Sequence, residues 1–584
     1  MGGMRVCDRQ DISHTGVNAV TELTMSDTCS RTSEKGFRVL IIGSGISGMT
    51  AAISLAERGI ASVLLSPFVS ERSQSVMAAG GINAALDNKG EGDSVGKHIE
   101  DTLTGGCYIA GADAALDLCS HAPGIIKWLE KLGTVFTLNE RGEIDQRAFG
   151  GQSHRRTCYC GASTGKQIVS ALVMECRRYE AMGLIERRLW SDFHSGLIHD
   201  GRCCGALIFN EATASLEPVY ADAVIMATGG QNALFGKTTG STQCDGYAAG
   251  RLFMQGALLK NLEFIQYHPT TMETAQKKML ISEAARGEGG RLYYNESGRR
   301  VYFMEDRFGP SGNLMPRDVV SRCMYETGRD IYLDVSHLGS DVIDNKIPEV
   351  RDLCLKYGGL DIKNESIPVV PSVHYFMGGF AADENHETNI RNLYAVGECA
   401  SRYHGANRLG GNSLLSAIYS GMTAAESIAD RKNRGSCDEI PDAWFDTYIR
   451  EERAKIVRDF SSGSKFPVMY IRDMAAEVLN DKLGIVRDDE SLQAGIDDID
   501  FYIRISSQIR YDSSVLEYFN YSLPAILTLA KAVLISAKER KESRGAHIRS
   551  DYPETSDEYK AASLISYADG EFSISYDTEG RYEH

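Results

Sequence analysis

The chain has 584 residues, 43% of them hydrophobic and 24% charged, a balance that excludes wholesale disorder. Its formal net charge of −17 excludes a dedicated nucleic-acid binder, because covering phosphates takes a basic surface. That charge also repels small anions, so an acidic substrate must be met by a local cluster of arginines and histidines.

Residues 1–36 are polar and rich in Ser and Thr, and read as a disordered leader, or as a start placed upstream of a true one near Met25. Ordered structure is expected from Phe37. The run Phe37 to Ile42 has strand length, Gly43-Ser44-Gly45-Ile46-Ser47-Gly48 follows, Met49 to Glu57 has helical character, and Ala61 to Ser66 is a second strand. This is a βαβ unit with GxGxxG at the turn into its helix, the arrangement that cradles a dinucleotide pyrophosphate on backbone N–H groups. The second strand ends in Ser66 rather than Asp or Glu, which counts against NAD and leaves a flavin held by other contacts.

Two further apolar runs stop at glycine: Ala223 to Ala227 before Thr228-Gly229-Gly230, and Leu393 to Val396 before Gly397-Glu398. Their separation predicts a nucleotide-binding domain assembled from discontinuous segments, 37–270 and 367–432, with an inserted unit at 271–366. The rest divides into a helical domain at 440–550 and a C-terminal extension at 551–584. Ala443 to Arg458 and Val515 to Lys538 read as long amphipathic helices, and Glu571 to Tyr576 as a strand. No run approaches the ~18 apolar residues that cross a bilayer. The best stretch, Leu523 to Ser536, contains Pro524 and Lys531 and reads as a buried helix.

The 14 cysteines are scattered; Cys158 and Cys160 stand two apart, Cys203 and Cys204 are adjacent, and no CxxC occurs. This predicts reduced thiols in a cytoplasmic compartment, with no iron–sulfur cluster held by the chain itself.

Four segments concentrate groups suited to a carboxylate ligand: Gln266 to Thr270; Ser282 to Gly290 followed by Met315-Pro316-Arg317-Asp318; Val373 to Gly379; and His404 to Leu414. Each taken alone has a plain structural reading, such as a core histidine or an i,i+3 ion pair between Glu283 and Arg286. Taken in order, together with Ala78 to Gly81, Gly150 to Arg156 and Arg540 to His547, they resemble the flavoprotein subunit of the succinate dehydrogenase/fumarate reductase family and its relative L-aspartate oxidase.

The resemblance implies an α/β fold: a discontinuous Rossmann-like FAD-binding domain, an inserted α+β capping domain and a C-terminal helical domain. It implies interconversion of fumarate and succinate, with His268, His374 and Arg408 gripping the carboxylates and Ser282 standing where the family usually has Thr. Phe149 and Gly411 complete the substrate site, and Arg317 is the proton donor, relayed through Glu283 and Arg286. For FAD it implies Gly43, Ser44, Gly45 and Gly48 at the pyrophosphate. Ser66 lies nearby, and Ser73, Gln74, Gly80 and Gly81 run along the ring. Gly229, Gly230 and Asp245 are expected on the adenosine side, Glu398 at a ribose or ribityl hydroxyl, and Arg408, Ser413 and Leu414 beside the ring.

Gln74 stands where many members carry the histidine that bonds FAD, so the cofactor is expected to be non-covalent, which favours work as a reductase. L-aspartate oxidase also holds FAD non-covalently and stays the alternative, and Gln152 to Arg156 looks partly like it. Phe149 decides against it here, because aspartate oxidases place Glu at that position to pair the substrate ammonium. The expected partners are an iron–sulfur subunit together with a quinone-linked membrane subunit, which would put the chain in the cytoplasm or at the inner face of the membrane.

Overall fold

The computed structural model describes residues 37–161, 163–431, 441–461, 468–506 and 518–577. The leader read at 1–36 lies outside the described residues.

The four apolar strands expected of a nucleotide-binding fold join a fifth, the mostly polar Ile185–Leu189, in one parallel sheet. Its spatial order is Leu393–Ala395, Ala223–Met226, Arg38–Ile42, Ala61–Ser66, Ile185–Leu189. Strands buried on both faces read as continuous apolar runs, and Val39, Leu40 and Ile41 have no exposed surface. The order reverses between Arg38–Ile42 and Ala223–Met226, the switch point beyond whose carboxyl ends such folds bind ligands.

The helix Ile46–Glu57 packs on this sheet beside the helix Asn412–Arg431. Small residues permit the approach. A Cβ on Gly421 would lie 2.6 Å from the Ser47 carbonyl, and one on Gly48 would lie 1.9 Å from the Gly43 carbonyl.

A six-stranded antiparallel sheet carries the inserted unit, in the order Lys278–Leu280, Ile265–Glu273, Ile367–Phe376, Ile331–Asp334, Arg291–Glu296, Arg299–Val301. The long pair Ile265–Glu273 and Ile367–Phe376 runs through both expected junctions, at 270 and 366, so the insert joins the nucleotide-binding unit as one continuous ribbon. Its register shifts between Gln266 and Tyr267 and again between His268 and Thr271. Such bulges re-aim side chains next to functional sites.

The helices Asp442–Ser461, Val468–Val478, Asp489–Ser506 and Tyr518–Glu539 follow. The last is the one described helix long and apolar enough to cross a membrane. Leu523, Leu527, Leu529, Val533 and Leu534 on it are wholly buried in the protein core. The C-terminal hairpin Ala562–Ala568 and Glu571–Asp577 returns to the first unit, pairing with Leu259–Lys260. Ten described cysteines are free thiols.

Replacing Gly48 with Ala forces the strand and helix apart at their closest point. Overpacking of this kind costs about 1–3 kcal/mol. Gly48→Ala is expected to lower the melting temperature and the flavin bound per chain together, measured by thermal denaturation and visible absorbance.

Candidate active site

A cavity of about 580 Å³ begins at the carboxyl edge of the parallel sheet and reaches the bulged ribbon. At one end lie Gly43, Ser44 and Gly45, where Gly45 caps the helix Ile46–Glu57 with no side-chain hydrogen bond. The Ile46 N–H donates to Ser75 Oγ at 3.2 Å, and the positive end of the helix favours an anionic group beside it. At the other end stand His268, Ser282, Glu283, Arg317, His374 and Arg408.

Those six side chains come from four stretches of chain. The ribbon supplies His268 and His374, whose rings meet edge to face with centroids 5.0 Å apart. Thr239 Oγ lies 2.9 Å from His374 Nδ1. His268 Nδ1 lies 3.1 Å from the Thr270 carbonyl and 3.3 Å from the Thr270 N–H, so the ring donates to the first with its proton at Nδ1 or accepts from the second with its proton at Nε2. Burial first, then the nearby arginines for His268, hold both imidazoles well below the usual histidine range, so both are neutral.

Arg317 opens the helix Arg317–Thr327 and donates from Nε and Nη2 to Glu283 Oε2 at 2.9 and 2.5 Å. Glu283 Oε1 accepts the Gly150 N–H at 2.9 Å and lies 3.2 Å from Arg286 Nη2. Burial alone raises the Glu283 carboxyl, but the Arg317 and Arg286 charges and these bonds pull it down to about 2. Arg408 lies over the Tyr375 ring at 4.2 Å. Burial and the Arg317 charge lower its guanidinium to about 10, and its Nε has no partner in the protein. A buried donor left open beside a cavity is a group waiting for an acceptor.

Phe149, 3% exposed, lines the same wall, held between Gly80 and Gly410. Gly411 lines the wall too, at a φ of +86°, and a Cβ there would strike Asn83.

Of the residues expected at FAD, Ser66, Ser73, Gln74, Gly80, Gly81, Gly229, Gly230, Asp245, Glu398, Ser413 and Leu414 also line the cavity. Ser413 and Leu414 lie in the first turn of the helix Asn412–Arg431, whose N-terminal N–H groups favour negative charge. Glu398 accepts the Phe376 N–H at 3.1 Å and touches Gly230, and burial pushes its carboxyl up to about 7.

Two expected residues do not line the cavity. Gly48 serves helix-to-strand packing instead of the pyrophosphate, because its Cα faces the Gly43 carbonyl. Arg286 is wholly buried behind Glu283, where its Nη1 donates to the Asn313 carbonyl at 2.6 Å.

Several contributors carry no sequence signal of their own. Thr239, from a loop, and Asn83, from the short strand Ile82–Asn83, stand in no motif. Arg472, from the helix Val468–Val478, donates to Asp245 at 3.3 Å, a contact made only by folding. Asn412 and Gln266 stand inside recognised segments, but only coordinates show what they hold. Asn412 Oδ1 lies 2.9 Å from His98 Nε2 and accepts Asn83 Nδ2 at 2.7 Å, pinning the Gly410-Gly411 turn.

Comparison with known proteins decides the family. A FAD binding domain model matches residues 38–414 and a fumarate reductase flavoprotein C-terminal model matches residues 472–580. The chain belongs to the succinate dehydrogenase/fumarate reductase flavoprotein family. It is 36% identical to the succinate dehydrogenase flavoprotein subunit of Bacillus subtilis, covering 89% of this chain and 92% of that one. It is 33% identical to the fumarate reductase flavoprotein subunit of Mycobacterium tuberculosis, over 92% and 96% of the two chains. A solved quinol–fumarate reductase with menaquinol molecules superposes with a TM-score of 0.86 at 29% identity, over 93% of this chain and 98% of that chain.

The family fixes the cofactor as FAD and the chain as an FAD-dependent oxidoreductase. The cavity fits that cofactor. It joins a helix N-terminus to a cationic wall, and buried Ser73 Oγ and Gln231 Oε1 on its lining have no partner in the protein.

A carboxyl held low in the fold stabilises it above the unfolded value and loses that contribution as pH falls toward the folded value. For Glu283 the window runs from about 4.5 down to about 2. Glu283→Gln is therefore expected to flatten the fall of melting temperature across this window. At neutral pH it is expected to destabilise the fold by about 3–5 kcal/mol, as broken buried ion pairs do. Identical slopes for both proteins would mean that Glu283 is not ionised in the fold.

Proposed function

We propose that the chain interconverts fumarate and succinate, working as a fumarate reductase flavoprotein subunit. The observation that carries this reading is the wall of His268, His374, Arg408 and Arg317 buried together beside the cofactor cavity of an acidic protein. The names of the relatives support it, since those proteins are succinate dehydrogenase and fumarate reductase subunits.

When bound, FAD supplies the hydride chemistry of the flavin ring. The protein holds the dianion flat against that ring. Arg408 grips one carboxylate and can do so with two N–H groups, which fixes angle as well as distance. His268 and His374 donate to the carboxylates, with Ser282 beside them. Drawing charge onto a carboxylate pulls electron density away from the far alkene carbon, the one that would take the hydride.

Arg317 delivers the proton to the neighbouring carbon. Guanidinium is a poor acid in water. Glu283, bonded through Oε2 to Arg317 Nη2, links Arg317 to Arg286, and a proton passed from Arg286 through Glu283 would restore the one Arg317 gives up. Arg286 behind Glu283 continues the relay. Phe149 lies against the carbon skeleton of the substrate.

Oxidation of L-aspartate is the second reading, favoured by the Gln152 to Arg156 segment. Phe149 opposes it, because an apolar ring gives an ammonium no anionic partner. Gln74 lines the cavity but its amide is no nucleophile, so we read the FAD as non-covalent. We further propose that the partners are an iron–sulfur subunit together with a quinone-linked membrane subunit, in keeping with relatives that are subunits of larger enzymes.

Purified protein is expected to reduce fumarate with a reduced viologen dye and to release no peroxide from L-aspartate. Acid precipitation is expected to leave the flavin in the supernatant. Arg317→Gln is expected to lower kcat by about 10²–10⁴-fold, the usual range for a lost general acid, while flavin content holds. Peroxide from L-aspartate without fumarate turnover would reverse the assignment.

A further inference from the structure

Behind the cationic wall a closed ring of hydrogen bonds runs through side chains the reaction does not touch. Asp318 follows Arg317 in the same helix but lines a second cavity, of about 220 Å³, shared with Cys107, Arg322 and Arg544. Its Oδ1 accepts Asn407 Nδ2 at 2.8 Å. Asn407 Oδ1 accepts Gln266 Nε2 at 2.7 Å, and the same Nε2 donates to the Arg408 carbonyl at 2.7 Å. That leaves Gln266 Oε1 to accept both Arg317 Nη1, at 3.1 Å, and Arg408 Nη2, at 2.9 Å.

Each link has one workable direction. A carboxylate only accepts and a guanidinium only donates. Asn407 must therefore turn its amino group to Asp318 and its carbonyl to Gln266, and Gln266 must turn its carbonyl to the arginines. With Gln266 reversed, its amino group would face two guanidiniums and three donors would meet without an acceptor. Gln266 is wholly buried, and Asn407 and Arg408 are 4% and 3% exposed, so water cannot supply the missing acceptor cheaply.

We infer that Asp318, Asn407 and Gln266 form a positioning chain that holds Arg317 and Arg408 against a single carbonyl oxygen, fixing their spacing and the N–H edges they present to the cavity. The two guanidiniums repel each other in a buried setting. Held by one oxygen, they stay side by side, one as proton donor and one as carboxylate grip. The inference rests on the function proposed above.

The test is a charge-swap rescue, read as kcat and KM for fumarate with a reduced dye, with flavin absorbance per chain checking each variant's fold. Asn407→Asp sets a carboxylate against Asp318, replaces the donor there with an acceptor and is expected to lower kcat about 100-fold, the scale of a small misplacement of catalytic groups. Adding Asp318→Asn restores a donor at 318 facing an acceptor at 407 that still takes the Gln266 amino group. The double variant D318N/N407D is expected to recover kcat to within about tenfold of the unaltered chain. Gln266→Met removes the shared acceptor and is expected to lower kcat at unchanged flavin content with no rescue from D318N.

Asn407→Asp with full kcat, or a double variant no better than it, overturns the positioning chain. So does rescue of Gln266→Met by D318N. Failure of the unaltered chain to reduce fumarate overturns the function proposed above instead.

Discussion

The site depends on the Glu283 carboxylate, wedged between Arg317 and Arg286 where all three are almost free of solvent. Taking a charge out of water costs several kcal/mol for each ion, and excellent geometry is needed to offset it. Glu283 has that geometry, with three charge-assisted contacts to arginine and one to the Gly150 N–H. Remove it, and Arg317, Arg286 and Arg408 would be three buried cations in one small volume. The charge count is instructive. Three arginines face one ionised glutamate, both imidazoles are held low and Glu398 is pushed up to about 7, so the cavity is net positive. A dicarboxylate carries two negative charges.

The architecture exists to bring those charges in from separate units without exposing them. The ribbon Ile265–Glu273 and Ile367–Phe376 leaves the parallel-sheet unit and becomes the central pair of the cap sheet. His268 and His374 sit at its base, where the register breaks. Glu283 and Arg317 ride on the insert beyond it, and Arg408 returns with the loop that leads into the helix Asn412–Arg431. Any tilt of the cap relative to the sheet therefore changes the spacing of Arg317 and Arg408. Gln266, at the base of the ribbon, bonds to both.

Much of this was legible in the sequence, for physical reasons. Buried parallel strands have to be continuous apolar runs, so four strands of the core could be read from Leu40 to Leu65 and from Val224 to Ala395, whereas the edge strand Ile185–Leu189, with Glu186, Arg187 and Arg188, carries no such run. Glycines at close backbone approaches have no substitute, which made Gly43 to Gly48 and Gly229-Gly230 readable. Gly48 is of the same kind. A motif marks a glycine but not which neighbour forbids the Cβ, and here that neighbour is the Gly43 carbonyl rather than a ligand. The Asp245–Arg472 pair and the Asp318–Asn407–Gln266 ring join residues up to 227 positions apart. No periodicity or spacing encodes such contacts, because they exist only once the helical and capping units have docked.

The apolar member of the wall gives the charge surplus its selectivity. A net positive cavity attracts any dianion, but Phe149 lies 3% exposed between Gly80 and Gly410, with Glu283 also against Gly410. A ligand ammonium placed against that ring would face an aromatic face instead of a carboxylate, and Glu283 is already committed to two arginines. The ammonium would also lower the ligand's net charge to −1 and leave less counter-charge for the buried cations. On the function proposed above, both effects act in the same direction, against an amino diacid and in favour of a plain four-carbon one. The discrimination needs no residue that recognises an alkene. It follows from a fixed surplus of buried charge and one wall that offers no acceptor.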